Sequence, residues 1–336
     1  MKFLCVGVVT YGVLCAAEPK PDPMELPRIP HTPVAKARET FEVKPGFDLQ
    51  LAAAEPLVAD PIAMSFDAHG RLYVVEMIGY SERREANAGR IRRLEDADGD
   101  GRFEKSVVFA DGLAWPTAVI CYNGGVFVGV TPKILFLKDI TGDGKADVNR
   151  TVLEGFGTGR SRLNVQAMFN SFRWGLDNRI HGCTSYMGGS VKDAAGNTVS
   201  LSGRNFSFDP RTLQLRGEDS TAQHGMSFDD AGRKFTCSNS SHLQALMYPS
   251  RYAGRNPHYA LPSQRVGIAA DGAAAEVFRL SPDEPWRIVR TRWRIAGQVR
   301  GPVEGGGRVS GYFTAATGIT IYRGDAMKGL RGNAFI

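Results

Sequence analysis

One phrase recurs along this chain: an apolar strand, a turn of the form Asp-x-x-Gly-Arg, and a second apolar strand. Residues 63–75 carry it around Phe66-Asp67-Ala68-His69-Gly70-Arg71-Leu72, and residues 225–237 carry it around Phe228-Asp229-Asp230-Ala231-Gly232-Arg233-Lys234. A third copy spans residues 172–182 and a degenerate one residues 118–128. The anchors Arg71, Gly125, Arg179 and Arg233 stand 54 residues apart in succession. A period near 50 with two hairpin signals per unit predicts a radial array of four-stranded antiparallel sheets, a β-propeller. The fold class expected is all-β, a six-bladed propeller. About five blades are legible, and the apolar end Asn333-Ala334-Phe335-Ile336 reads as an incomplete last blade.

The third strands of the blades are expected at Arg90–Leu94, Lys133–Leu137, Asn205–Phe208 and Glu276–Leu280. Phe47–Leu51 suits the outer strand that closes the ring. Antiparallel connectivity sorts the loops: turns joining strands one to two and three to four share one face, and the remaining loops share the opposite, top face. Function concentrates on loops held by a rigid scaffold.

The N-terminus reads as an export signal, residues 1–17. Lys2 precedes a short apolar run from Phe3 to Leu14, and Cys15-Ala16-Ala17 supplies small residues for cleavage. Residues 18–40, rich in Pro and charge, read as a linker, and residues 41–336 as the propeller. The protein is therefore expected in the periplasm or cell envelope, with membrane association only indirect. Export leaves Cys121, Cys183 and Cys237, an odd number that precludes full pairing. Cys183 and Cys237 each lie four residues after their repeat arginine, so they are expected as buried thiols, with one bridge between neighbouring blades as the alternative. No Cys-x-x-Cys-His occurs, so no c-type haem is expected on this chain. The net charge of +6 is modest. Glu85 interrupts the arginine cluster at residues 83–93, and no nucleic-acid-binding motif accompanies it or the cluster at residues 287–294, which argues against a nucleic-acid partner.

Two turns between third and fourth strands are acidic. Asp96, Asp98, Asp100 and Glu104 occupy positions 1, 3, 5 and 9 of one loop, and Asp139, Asp143 and Asp147 positions 1, 5 and 9 of the other. Alternate carboxylates with glycines between them suit a hard cation, Ca²⁺, in a structural role on the bottom face. The loops resemble the Asp-rich hairpin loops of integrin-type propellers. A solvated Asp/Gly turn needs no ion and is the competing reading.

Candidates for chemistry lie on the top face: Gln166 and Asn170 before the third blade, His224 before the fourth, and Glu76 after the second strand of the first. Arg308 follows Gly305-Gly306-Gly307. His224 is the residue best placed for general-base work, whereas His181 lies inside a strand and is expected as a satisfied core residue.

Taken together, Phe47–Leu51, Arg71–Met77, Asp96–Glu104, Asn164-Val165-Gln166 and Arg173–Asp177 resemble the propeller of the planctomycete and verrucomicrobial membrane-bound dehydrogenase family. That family is in turn similar to soluble quinoprotein sugar dehydrogenases. The resemblance implies pyrroloquinoline quinone at the top of the channel and a cytochrome c domain or protein as electron acceptor. It also implies a catalytic histidine just before the strand at Phe172, where this chain has Ala167. Three functions follow as expectations. The first is a module that oxidises a sugar or alcohol, with His224 as base, Arg308 holding a cofactor carboxylate, and Gln166, Asn170 and Glu76 lining the site. The second is a non-catalytic propeller that binds glycans or partner domains. The third is a metal-dependent hydrolase of the lactonase type, with Glu76, Asn170 and Asn239 as channel ligands.

Overall fold

The computed structural model describes residues 19–159, 163–277, 282–300, 303 and 312–336. The expected export signal, residues 1–17, and Arg308 lie outside the described residues. The chain forms two compact units, one of residues 34–276 and 313–336, the other of residues 1–33 and 277–312.

The larger unit is built from antiparallel sheets in chain order. Blade one comprises β1 (Pro61–Phe66), β2 (Leu72–Glu76), β3 (Gly89–Glu95) and β4 (Lys105–Leu113), paired in sequence. Blade two comprises β5 (Ala118–Tyr122), β6 (Gly125–Val130), β7 (Lys133–Lys138) and β8 (Val148–Phe156). Blade three opens with β9 (Asn170–Trp174) and β10 (Ile180–Cys183). The chain then leaves it as the hairpin β11 (Gly189–Lys192) and β12 (Thr198–Ser200), and returns as β13 (Asn205–Phe208) and β14 (Leu215–Glu218). The hairpin pairs through β11 with β8, so blade two becomes a six-stranded sheet. Blade four comprises β15 (Met226–Phe228), β16 (Lys234–Ser238), β17 (Ser241–Leu246) and β18 (Arg265–Gly267). A two-stranded sheet of β19 (Thr320–Ile321) and β20 (Ala334–Phe335) follows.

Blades of the propeller type are thus present. Among the described residues, however, there are four complete blades and one further hairpin, not a closed ring of six. Two strand expectations fail. The third strand of blade four is Ser241–Leu246, in place of the expected Glu276–Leu280, of which residues 278–280 lie outside the described residues: only two residues, Asn239 and Ser240, separate Ser241–Leu246 from β16, a tight connection that the longer third blade obscures in the repeat. Phe47–Leu51 forms no strand.

The turn at each repeat has a definite architecture. Asp67 Oδ1 accepts from the backbone N–H of His69 and Arg71, at 2.8 and 3.0 Å, while Oδ2 accepts from Arg71 Nε at 2.7 Å. Asp229 does the same for Ala231 and Arg233, at 3.0 and 2.8 Å. Gly70 and Gly232 supply the positive φ, +77° and +74°, that closes each turn. The inserted hairpin repeats the device: Asp193 accepts from the backbone of Ala195 and Asn197. In the third copy Gly175 takes the place of the aspartate, and Arg179, without that partner, turns inward. It donates to Ser207 Oγ at 2.8 Å and to the Gln214 carbonyl at 2.7 Å, and is buried.

Packing between blades changes character along the chain. Tyr73, Val75, Ile91 and Phe109 of blade one meet Val119, Val126, Val128 and Leu137 of blade two. Between blades two and three lies an aromatic stack of Phe127, Phe156, Phe169, Phe172, Phe206 and Phe208. Each such ring stabilises the fold by about 1.5–3 kcal/mol on burial. The apolar cluster that joins blades three and four is smaller, Cys183, Ala222, Met226 and Phe228. Polar groups accompany it: His181 lies 3.0 Å from Asp177 Oδ1 and 3.4 Å from Lys234 Nζ. Cys183 and Cys237 are buried free thiols, so the inter-blade bridge is not formed. Burial pushes the Cys183 thiol up to about 12.

In the smaller unit, the helix Pro285–Ile295 buries Val289 and Trp293 against Val299 and Leu26. Arg292 pairs with both carboxylate oxygens of Glu25, at 2.7 and 2.9 Å. The second arginine cluster of the sequence therefore lies on this helix. No helix among the described residues is long and apolar enough to cross a membrane.

Candidate functional site

The top face of blades three and four gathers Gln166, Asn170, Gln223 and His224. Asn164 caps a short 3-10 helix, Val165–Ala167, by accepting from the Gln166 N–H at 3.1 Å, and this turn sets the approach to β9. Asn170, the first residue of β9, is buried. Its Nδ2 donates to the carbonyls of Met168 at 3.0 Å and Gln223 at 2.8 Å, and its Oδ1 accepts from Ser171 Oγ at 2.6 Å. An amide nitrogen has two protons, so both are committed to carbonyls. His224 Nδ1 lies 3.4 Å from the same nitrogen, at the margin of that arrangement.

His224 is half-buried between the third and fourth blades. Burial holds its imidazole below the usual histidine range, opposed only by an interaction with the Gln166 backbone. The ring is therefore neutral at pH 7, the state a general base requires. Gln223 Oε1 accepts from the Asn239 N–H at 3.0 Å and from Tyr186 OH at 3.4 Å, so Gln223 ties the two loops that follow the second strands. Tyr186, Asn239 and Gln166 are exposed at the rim. Tyr186 and Gln223 carry no charge or motif that marks them in the sequence. Only their places after β10 and before β15 do.

Glu76 is elsewhere. It is fully buried at the end of β2, where it accepts from the Ala59 N–H at 2.7 Å and from Arg90 Nε, with Arg92 Nε at 3.5 Å. Its register opposite Arg90 makes it the ionic centre of blade one, not part of the His224 group. Beside it an apolar cluster of Met77, Trp115 and Met168 seals the top of the first three blades. Ala167 is buried as well, 1% exposed, so its position offers no group to the surface.

The acidic loops sit between β3 and β4 and between β7 and β8, on the face away from His224. In the first, ligand atoms of Asp96, Asp98, Asp100 and Glu104 all lie within 4.8 Å of one another. The carboxylates are held by backbone N–H groups: Asp96 accepts from Gly101 and Gly99, Asp100 from Arg102, and Glu104 from Ala97. Several hard oxygens within one coordination sphere fit Ca²⁺. The second loop does not assemble in this way. Asp139 Oδ2 faces Arg93 Nη1 at 3.4 Å, and Asp147 folds back on the N–H groups of Ile140 and Thr141. A guanidinium already stands where a cation would gain most, and Asp143 is left to the Lys145 N–H.

Comparison with known proteins places the chain in a family. Residues 33–336 match the model of a domain of unknown function, DUF7133, and the chain belongs to that family. No curated protein matches it in sequence. Among solved structures it is similar to a Lactobacillus plantarum protein (18% identity, 67% of this chain and 60% of that one, TM-score 0.40). It is also similar to the pyrroloquinoline-quinone domain of pyranose dehydrogenase from Coprinopsis cinerea (14%, 54% and 44%, TM-score 0.37). A third is the periplasmic gluconolactonase of Pseudomonas aeruginosa (14%, 56% and 53%, TM-score 0.35). The chain spans about half the length of such structures.

Proposed function

We propose that this DUF7133 propeller is a module of an exported enzyme acting on a hydroxyl group of a sugar or alcohol, with His224 as general base. In the form the sequence resemblance favours, it is a dehydrogenase of the quinoprotein kind that passes electrons to a cytochrome c domain or protein. One observation carries the reading: a neutral, half-buried imidazole whose Nδ1 neighbour, Asn170, has spent both amide protons on carbonyls. A neutral imidazole keeps one ring nitrogen without a proton, and that nitrogen takes the substrate hydroxyl proton. Gln223, Tyr186 and Asn239 at the rim are neutral donors and acceptors, the groups that bind a polyol without charge.

Pyrroloquinoline quinone supplies a two-electron acceptor when bound, but its carboxylates are not matched by the described residues. No Lys or Arg side chain among them bonds to Gln166, Asn170, Gln223 or His224. Arg308, the cation proposed to hold a cofactor carboxylate, lies outside the described residues. What these residues do is bind the hydroxylated ligand and hold a proton on the His224 imidazole.

The test is sugar-dependent dye reduction by the full chain supplied with pyrroloquinoline quinone and Ca²⁺. Turnover is expected to fall about 100-fold in His224→Gln, the usual share of a general base. Activity indifferent to that change, or none across a sugar and alcohol panel, overturns the reading. A second reading, a non-catalytic propeller that recognises glycans or partner domains, is favoured by the burial of Ala167 at the place where the resemblance implies a catalytic histidine. It predicts saturable ligand binding without turnover.

A further inference from the structure

Away from His224, an open cleft of about 350 Å³ lies between the end of β14 in blade three and the segment that leads through a short helix, Ser250–Ala253, to β18 in blade four. Its walls include Arg204, Asp219, Ser250, Ser263, Gln264 and Arg265. The size is that of a small-molecule site, and the chemistry of its walls is one-sided.

Both guanidiniums are anchored on backbone carbonyls. Arg265 Nη1 donates to the Thr221 carbonyl. Arg204 donates from Nη2 to Gly217 at 2.8 Å and from Nε to Glu218 at 3.5 Å. Arg204 lies flat across Gly217, where an added Cβ would stand 3.0 Å from its Cζ. Among the described residues neither arginine has a carboxylate within ion-pair distance. The single acid of the cleft, Asp219, is already turned to the N–H and hydroxyl of Ser250. A guanidinium has five N–H donors, so most of those on both arginines remain for a ligand. Gln264 Nε2 is buried without a partner, and a buried amide in that state is a donor waiting for an acceptor.

We infer that this cleft binds an acid sugar: a ring bearing one oxyanion, a carboxylate or a sulfate ester, held by Arg204 and Arg265, with Gln264 and Ser263 meeting its hydroxyls. Arginine matches such oxyanions through paired N–H donors. The two arginines exceed the one acid by a single positive charge, which fits a monoanion. The inference does not depend on the role of His224.

The experiment is calorimetric titration of the full chain with galacturonate and with glucose 6-sulfate, against glucose and sodium sulfate. Saturable binding of one or both acid sugars is expected, at least about tenfold tighter than glucose, since charge-assisted bonds are the strong ones. Binding of galacturonate alone assigns a carboxylate, and of glucose 6-sulfate alone a sulfate ester. Arg265→Gln should weaken binding about tenfold or more. Because Arg265 also braces Thr221, Gln264→Leu serves as a second variant: it removes no bond within the protein and should weaken binding several-fold at an unchanged melting midpoint. Any of four results overturns the inference: no saturable binding of either acid sugar, glucose binding equally well, sodium sulfate binding as tightly as the sugar sulfate (an adventitious ion only), or affinity unchanged in a folded Gln264→Leu protein.

Discussion

Asn170 Nδ2 and His224 Nδ1 stand 3.4 Å apart, from adjacent blades, while the amide protons of Asn170 go to the Met168 and Gln223 carbonyls. The imidazole is thus held by geometry rather than by charge. Asn170→Asp keeps the shape and adds a negative charge. A carboxylate at that distance favours the imidazolium, so the His224 pKa should rise by about one unit or more. Proton NMR titration of the His224 ring in both proteins reads the shift directly, and an unmoved value would show that the two side chains do not face each other in solution.

The His181–Asp177 pair predicts how stability responds to acid. Burial holds His181 below its usual 6.5. Its contribution to stability is complete above that value and is lost as pH falls toward the lower folded pKa, because the unfolded chain binds the proton first. Burial raises Asp177, but the hydrogen bond and charge of His181, together with backbone N–H groups, outweigh it and bring the carboxyl to about 2. That contribution is present above the usual 3.8 and is lost between there and about 2. The melting midpoint of the wild type should therefore drop in two stages on acidification, and His181→Gln should remove the first. A single identical acid limb in both proteins would contradict the pairing.

Loss of the turn aspartate should be felt through the whole blade. Asp67→Ala deletes two backbone N–H acceptor contacts and the Arg71 pair together. Hydrogen bonds to a charged group are each worth about 1.5–3 kcal/mol, less where solvent reaches them. A destabilisation of about 1–3 kcal/mol in chemical denaturation is expected, with the midpoint shifted and the slope preserved.

At Gly182 the constraint is space. A Cβ there would lie 2.3 Å from the Phe206 ring, which is fully buried in the aromatic stack between blades two and three. Gly182→Ala forces that ring to move, and overpacking of this kind costs about 1–3 kcal/mol. Denaturation should show the loss. Unchanged stability would mean the stack is looser than its ring separations imply.

Calcium should separate the two acidic loops. A ligand that binds only the folded protein raises its melting midpoint by mass action. The rise on adding Ca²⁺ should disappear in Asp100→Asn and persist in Asp143→Asn, because only the first loop gathers its carboxylates within 4.8 Å. A rise that survives Asp100→Asn would place the ion elsewhere.

The repeat and its turns were legible in the chain because their causes are local. An aspartate that caps its own turn, and a glycine that takes the positive φ, act within five residues, so Asp67–Arg71 and Asp229–Arg233 can be recognised without knowing their surroundings. By the same token Asp193-Ala194-Ala195-Gly196-Asn197 carries the turn signal of an extra hairpin, but it falls outside the 54-residue repeat. The meeting of Asn170 with His224, more than fifty residues apart, could be expected only as two positions on one face.

Sequence alone determined the strand periodicity, the blade spacing and the sorting of loops by face, since these follow from side-chain alternation and turn chemistry. Tertiary structure alone decided which polar residues are already spent. Glu76 and Asp139 carry the same charge as Asp96, yet arginines from β3 claim both, while the Asp96 group is free to converge. Pairing across strands and between blades depends on distances that no local pattern encodes.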